Sequence, residues 1–168
     1  MGYKVESEFE HEGLKCVVVM TTMGHRCGYV GLSKEYVLYG KDYSDRIGKF
    51  SDIKNKSTEK MNPINIISLA FEDLNDDSSV RIDCYVDVHG GITYSGGGEK
   101  STYPIESDLW WFGYDCAHCD DAKDLSAIEN EEVKKIEMMY PTRGIIRTLD
   151  YCIDECKCLA EQLNKLTL

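Results

Sequence analysis

Trp110-Trp111-Phe112-Gly113-Tyr114-Asp115-Cys116-Ala117-His118-Cys119-Asp120-Asp121 is an apolar run that passes directly into carboxylates, thiols and an imidazole. Read as a strand over Asp108 to Cys116, it sends Trp110, Phe112 and Tyr114 to one face and Trp111 to the other. One set is core; the other is core as well or lines a cleft. Either way the strand delivers Asp115, His118, Asp120 and Asp121 at its rigid end. Upstream, Val86-Asp87-Val88-His89-Gly90-Gly91-Ile92-Thr93-Tyr94 has the same grammar: a β-rich run ends in a histidine, and a glycine pair then lets another group come close to the backbone. Two such strand ends predict a shared polar site.

Working outward, Leu14 to Thr22 is a β-branched run of strand length. Met23 to Gly28 reads as a turn that delivers Tyr29 to Leu32 as the second arm of a hairpin with a polar tip. Ser33 to Lys60, with Tyr36, Tyr39 and Tyr43 at spacings of three and four, is a short helix or an ordered loop. Asn55 to Asn62 reads as a flexible loop, and Ile64 to Phe71 as a strand or one buried helical face. Asn75 to Ser79 is a turn, and Val80 to Val88 alternates as a strand. Ser95 to Ser101 is a glycine-rich loop whose amides can approach a phosphate, although its spacing matches neither a Walker loop nor the dinucleotide fingerprint.

A helix is predicted from about Ser126 to Met139, ended by Pro141 and Gly144. From Ile146 onward, Leu149, Cys152, Cys156, Leu159, Leu163 and Leu166 fall at spacings of three and four. This is the stripe of an amphipathic helix that packs on the sheet or on a second copy of the chain. Together these elements predict a single α+β domain over 1–168, a mostly antiparallel sheet with a long C-terminal helix.

Nineteen Lys and Arg against thirty Asp and Glu leave a net charge of −11 over 168 residues. That charge repels nucleic acid and acidic membrane surfaces. It also suits competition with nucleic acid for a basic groove on another protein. No apolar stretch approaches the about 18 residues of a membrane span. Eight cysteines follow an N-terminus with no apolar signal region, so the thiols read as reduced and cytoplasmic.

Two constellations carry chemistry. Cys116-x-x-Cys119 has the gap of a metal knuckle, and His25-x-Cys27 at the hairpin tip would complete a tetrahedral zinc set. His89, Asp115, His118, Asp120 and Asp121, joined by His25 and Arg26, suit general acid–base or metal-assisted hydrolysis, with His89 or His118 as acid or base, Asp115 as the orienting group and Arg26 stabilising negative charge. A buried hydrogen-bond network accounts for the same residues without any chemistry. No nucleophile elbow, HExxH or zinc-deaminase pattern is present. Aromatic rings such as Tyr94 beside Arg26, Gly90 and Gly91 fit a planar anion such as a nucleotide.

Arg26-Cys27-Gly28-Tyr29-Val30-Gly31, Val88-His89-Gly90-Gly91-Ile92-Thr93-Tyr94, and Trp110 to His118 with an acid soon after stand in order along the chain, and Tyr151 to Leu163 closes it as a helix. This pattern resembles a family of small uncharacterised proteins encoded by bacteriophages and prophages. The resemblance implies a virus-derived accessory protein acting in the bacterial host cytoplasm, and no particular reaction. Two functions are therefore expected: binding or hydrolysis of a nucleotide or related small anion at the His/Asp/Arg site, or inhibition of a host bacterial defence protein through the acidic surface.

Overall fold

The computed structural model describes residues 2–49, 75 and 77–166. Its centre is a five-stranded antiparallel sheet in the order β1-β2-β3-β7-β6. The strands are β1 (Tyr3–His11), β2 (Leu14–Thr21), β3 (Arg26–Leu32), β6 (Tyr94–Gly97) and β7 (Trp110–Asp115). A small two-stranded ladder joins β4 (Arg46–Ile47) to β5 (Val80–Arg81). Among the described residues the helices are, in chain order, a single turn α1 (Ile82–Tyr85), then α2 (Glu131–Met139) and α3 (Leu149–Lys165). The architecture is α+β, as the residue pattern predicts.

The expected hairpin is β2–β3, paired from Lys15↔Gly31 to Met20↔Arg26. A third strand precedes it: Glu6 to Glu12 looks like a solvated acidic segment, yet Tyr3–His11 forms an edge strand along β2. Its two-residue turn to β2 places Glu12 and Gly13 at φ of 49° and 79°. Positive φ at both central positions matches the twist of the flanking strands. A bulge between Val5 and Ser7 leaves Glu6 without a cross-strand partner.

β7 is bordered on both sides, by β3 from Cys27↔Asp115 to Leu32↔Trp110 and by β6 from Tyr94↔Gly113 to Gly97↔Trp110. Being central, its alternating faces are both buried. Phe112 and Tyr114 join Cys16, Val18, Val30 and the α3 residues Cys152, Cys156, Leu159, Ala160 and Leu163. Trp111 joins Val17, Val19, Cys27 and Tyr29 on the opposite face, covered by Tyr94, Tyr103, Ile105 and Leu109. Burial of each large apolar side chain contributes about 1.5–3 kcal/mol. The C-terminal stripe therefore packs on the sheet of its own chain. Gly28 permits the close seat, since a β-carbon there would lie 2.5 Å from the Tyr114 ring and 2.6 Å from Cys156 Sγ.

Three predicted elements are corrected. The alternation of Val80 to Val88 does not make one strand: pairing stops at Arg81 and one helical turn follows, which buries Ile82, Cys84 and Tyr85 together. The loop read over Ser95 to Ser101 is strand through Gly97, because Ser95, Gly96 and Gly97 pair with Phe112, Trp111 and Trp110. α2 begins five residues later than Ser126, where the Asn130 side chain accepts from the backbone of Glu132 and Val133 and caps the helix. Residues 33–49 form turns and β4 rather than a helix, while the readings at Asn55 to Asn62 and Ile64 to Phe71 lie outside the described residues. Among the described residues no helix is long and apolar enough to cross a membrane.

Candidate functional site

The backbone leaves β7 at Asp115 and turns, with Asp121 N–H donating to the His118 carbonyl at 3.0 Å. This turn drives the Asp121 carboxylate inward, where the residue is 3% exposed. Oδ2 accepts from His118 N–H at 2.9 Å and from His89 Nε2 at 2.8 Å, and Oδ1 accepts from Arg147 Nε at 2.7 Å. Burial alone would raise its pKa, but the hydrogen bonds from Arg147, His89 and His118 outweigh burial and hold the carboxyl below the ordinary aspartate value.

An ionised Asp121 fixes the protons around it. Neutral His89 must carry its hydrogen on Nε2, so Nδ1 is an acceptor, and the Tyr151 hydroxyl 3.0 Å away is its donor. The result is a relay from the Tyr151 phenol through His89 to Asp121. Burial first, and then the charge of Glu155, push the Tyr151 phenol up to about 12. The phenol therefore stays protonated at neutral pH and serves as a hydrogen-bond donor. Glu155, one turn further along α3, accepts from His89 N–H at 2.7 Å and fixes the histidine backbone.

Arg147 precedes the α3 cap Thr148, whose side chain accepts from Tyr151 N–H. Its guanidinium carbon lies 5.1 Å from the centre of the Tyr151 ring, stacked as a cation on an aromatic face. Nε is taken by Asp121, while neither terminal nitrogen donates to a partner among the described residues. Arg26 has the opposite fate. Its Nε and Nη2 donate to Glu6 at 2.6 and 3.2 Å, and its Nη1 donates to the Arg147 carbonyl at 2.7 Å. The β1 bulge thus supplies the carboxylate that engages Arg26, and Arg26 in turn anchors the backbone that presents Arg147.

The predicted residues divide. His89, His118, Gly90 and Asp121 come together: the His89 and His118 rings are 5.6 Å apart, and His118 lies against Gly90. Asp115 stands at the margin, its Oδ1 3.7 Å from His118 Nε2 and its Oδ2 accepting from the Thr93 hydroxyl at 2.8 Å. His118 Nε2 is buried with no hydrogen-bond partner among the described residues. Asp120 is exposed and contributes its carbonyl to Ile145 N–H, so the buried acid is its neighbour Asp121. Gly91 closes the turn by donating to the Val88 carbonyl at 2.9 Å. Tyr94 lies on the opposite face of the sheet, its ring 5.5 Å from Tyr29, away from Arg26 and His89.

The proposed zinc set is dispersed by strand alternation. Cys27 points to the Trp111 face and Cys116 to the α3 face, where its sulfur is 3.7 Å from that of Cys152. Cys119 is exposed, and His25 Nδ1 is buried without a hydrogen-bond partner among the described residues. Among the described residues a different trio brings three ligand atoms together: His11, Glu12 and Glu161.

Tyr151, Arg147 and Glu155 escape a reading of the sequence for motifs. One signal for them exists: Tyr151 and Glu155 are four apart, hence on one face of the helix whose apolar stripe is evident. No protein-family model, curated protein or solved structure matches the chain.

Proposed function

We propose that this chain is a phage or prophage accessory protein that binds a small phosphate-bearing ligand, of the nucleotide class, at the cluster of Arg147, Tyr151, His89 and His118. The observation that carries this reading is the state of Arg147: its side chain is oriented by Asp121 and by the Tyr151 ring, and its two terminal nitrogens donate to no partner among the described residues. A planar fork held in place loses little entropy when it takes two oxygens of a phosphate. The relay supplies acid–base capacity beside that fork. Tyr151 can take a proton from a water attacking the phosphate while its own proton passes to His89 Nδ1, and Asp121 balances the imidazolium so formed. Hydrolysis of a phosphate ester is accordingly the reaction to look for once binding is seen.

The test is calorimetric titration of the wild-type protein with nucleoside mono-, di- and triphosphates and inorganic phosphate, alongside Arg147→Gln and Arg147→Lys, with phosphate release followed in parallel. Saturable binding by the wild type is expected, lost in Arg147→Gln and weakened in Arg147→Lys, which keeps the charge without the fork. Absence of binding by wild type up to millimolar ligand, or equal binding by all three proteins, would overturn the proposal and move the function to the acidic surface.

A further inference from the structure

At the far side of the sheet edge, the β1–β2 turn meets the C-terminal half of α3. His11 Nε2 lies 3.0 Å from Glu161 Oε1, and Glu12 completes a trio whose ligand atoms all lie within 4.8 Å of one another. The trio is separate from the Arg147 cluster: Glu161 is ten residues beyond Tyr151, about 15 Å along the helix. The turn and the helix are also tied by Asn164 Nδ2, which donates to the Glu12 carbonyl at 3.1 Å.

The electrostatics of this corner are one-sided. Two carboxylates are held together, and among the described residues neither Glu12 nor Glu161 pairs with a lysine or arginine. Lys15 is engaged with Glu8 and Lys157 with Asp154, while Lys165, one turn beyond Glu161, makes no ion pair among the described residues. Like charges at this separation repel unless a cation lies between them. One imidazole nitrogen with two carboxylate oxygens is a donor set that suits borderline divalent ions more than calcium or magnesium, which prefer oxygen alone.

We propose that His11, Glu12 and Glu161 bind a divalent first-row transition ion, zinc in the first instance, which clamps the β1–β2 turn to α3. Three protein ligands leave a tetrahedral ion one position open to water. Because the turn and the helix come from opposite ends of the chain, the ion binds the folded state and stabilises it by mass action.

Zinc titration by calorimetry, with melting temperature recorded with and without zinc, tests this on the wild type and on His11→Ala, Glu161→Gln and Cys119→Ser. The expected result is one zinc per chain, a raised melting temperature, affinity reduced by about tenfold or more in His11→Ala and Glu161→Gln, and wild-type affinity in Cys119→Ser. Glu161→Gln keeps the side-chain volume, and circular dichroism of each variant confirms its fold. Failure of the wild type to bind zinc overturns the proposal. So does unchanged affinity in both site variants, or loss of binding in Cys119→Ser, which would place the ion on thiols.

Discussion

His118 occupies the space that a side chain on Gly90 would need: a β-carbon built on Gly90 falls 1.7 Å from His118 Nε2. Gly90 also has a φ of 67°, in the left-handed region that side chains rarely adopt. Its neighbour Gly91 shares that strain at 86° but has nothing among the described residues within 4 Å of the position. The pair separates backbone strain from steric collision. Gly91→Ala should cost about 1 kcal/mol. Gly90→Ala should cost that and more, about 3 kcal/mol in total, since His118 must leave its place. Urea denaturation of the two variants measures the difference, and equal losses would show that His118 yields freely.

Asp121 ties together three segments far apart in sequence, through His89, the His118 backbone and Arg147. Its carboxyl is held below the ordinary aspartate value once these bonds outweigh burial. A depressed folded pKa contributes stability that is fully present above the unfolded aspartate value, near 3.8, and lost as pH falls through the folded one. Asp121→Asn should therefore cost about 3 kcal/mol at pH 7, with Arg147 and His89 left facing a neutral amide. The gap between variant and wild type should narrow as pH falls below about 4. A gap that stays constant down to pH 2 would mean that Asp121 is not ionised in the folded protein.

Glu137 offers a second acid-sensitive point, remote from the first. It is 7% exposed on α2. Its carboxylate accepts from Thr142 N–H and from Lys123 Nζ, the latter at 2.9 Å. The bonds from Thr142, and then those from Lys123, lower its pKa from 4.5 to about 2 despite burial. The sign is the same: its stabilisation holds above pH 4.5 and fades towards pH 2. Glu137→Gln should lower the melting temperature at pH 7 and lower it less at pH 2.5, where part of the stabilisation is already lost. Combined with Asp121→Asn, the two losses should add, because the sites share no partner. Calorimetric melts across pH check both statements.

Much of the framework is legible in the chain because apolar periodicity is strong where both faces are covered. β2, β7 and the α3 stripe are all of this kind, and each is found where its residues place it. β1 is not legible for the converse reason: as an edge strand it exposes Glu8 and Glu10, and its acidic residues read as solvated chain. Val80 to Val88 misleads because burial of Ile82, Cys84, Val86 and Val88 is real but is achieved by a helical turn followed by extended chain. In the site, His89 and His118 beside an aspartate can be found from composition at the ends of two apolar runs, although only the run before His118 is a strand. Arg147 and Tyr151 cannot, since their roles depend on how α3 lies on the sheet, a contact between distant segments that no local spacing encodes. Arg26 illustrates the same limit: only the β1 bulge reveals that Glu6 already holds it.

The eight cysteines give the most direct check of this packing. Cys119 and Cys158 are exposed, while Cys16, Cys27, Cys84, Cys116, Cys152 and Cys156 are buried as free thiols. Burial pushes Cys16 and Cys27 up to about 12 and raises Cys156 further still, so these thiols are both shielded and uncharged at pH 8. A thiol reacts as its thiolate, and a buried one must first be exposed by opening of the fold. Titration with an aromatic disulfide reagent under native conditions should thus show two fast thiols and six that react only with unfolding. Cys119→Ser should remove one of the fast pair and leave the slow phase unchanged. The contact of Cys116 with Cys152 sharpens the expectation, because it lies between the end of β7 and the first turn of α3. If either sulfur reacted in the fast phase, α3 would not be seated on β7, and the relay through Tyr151 would have no support.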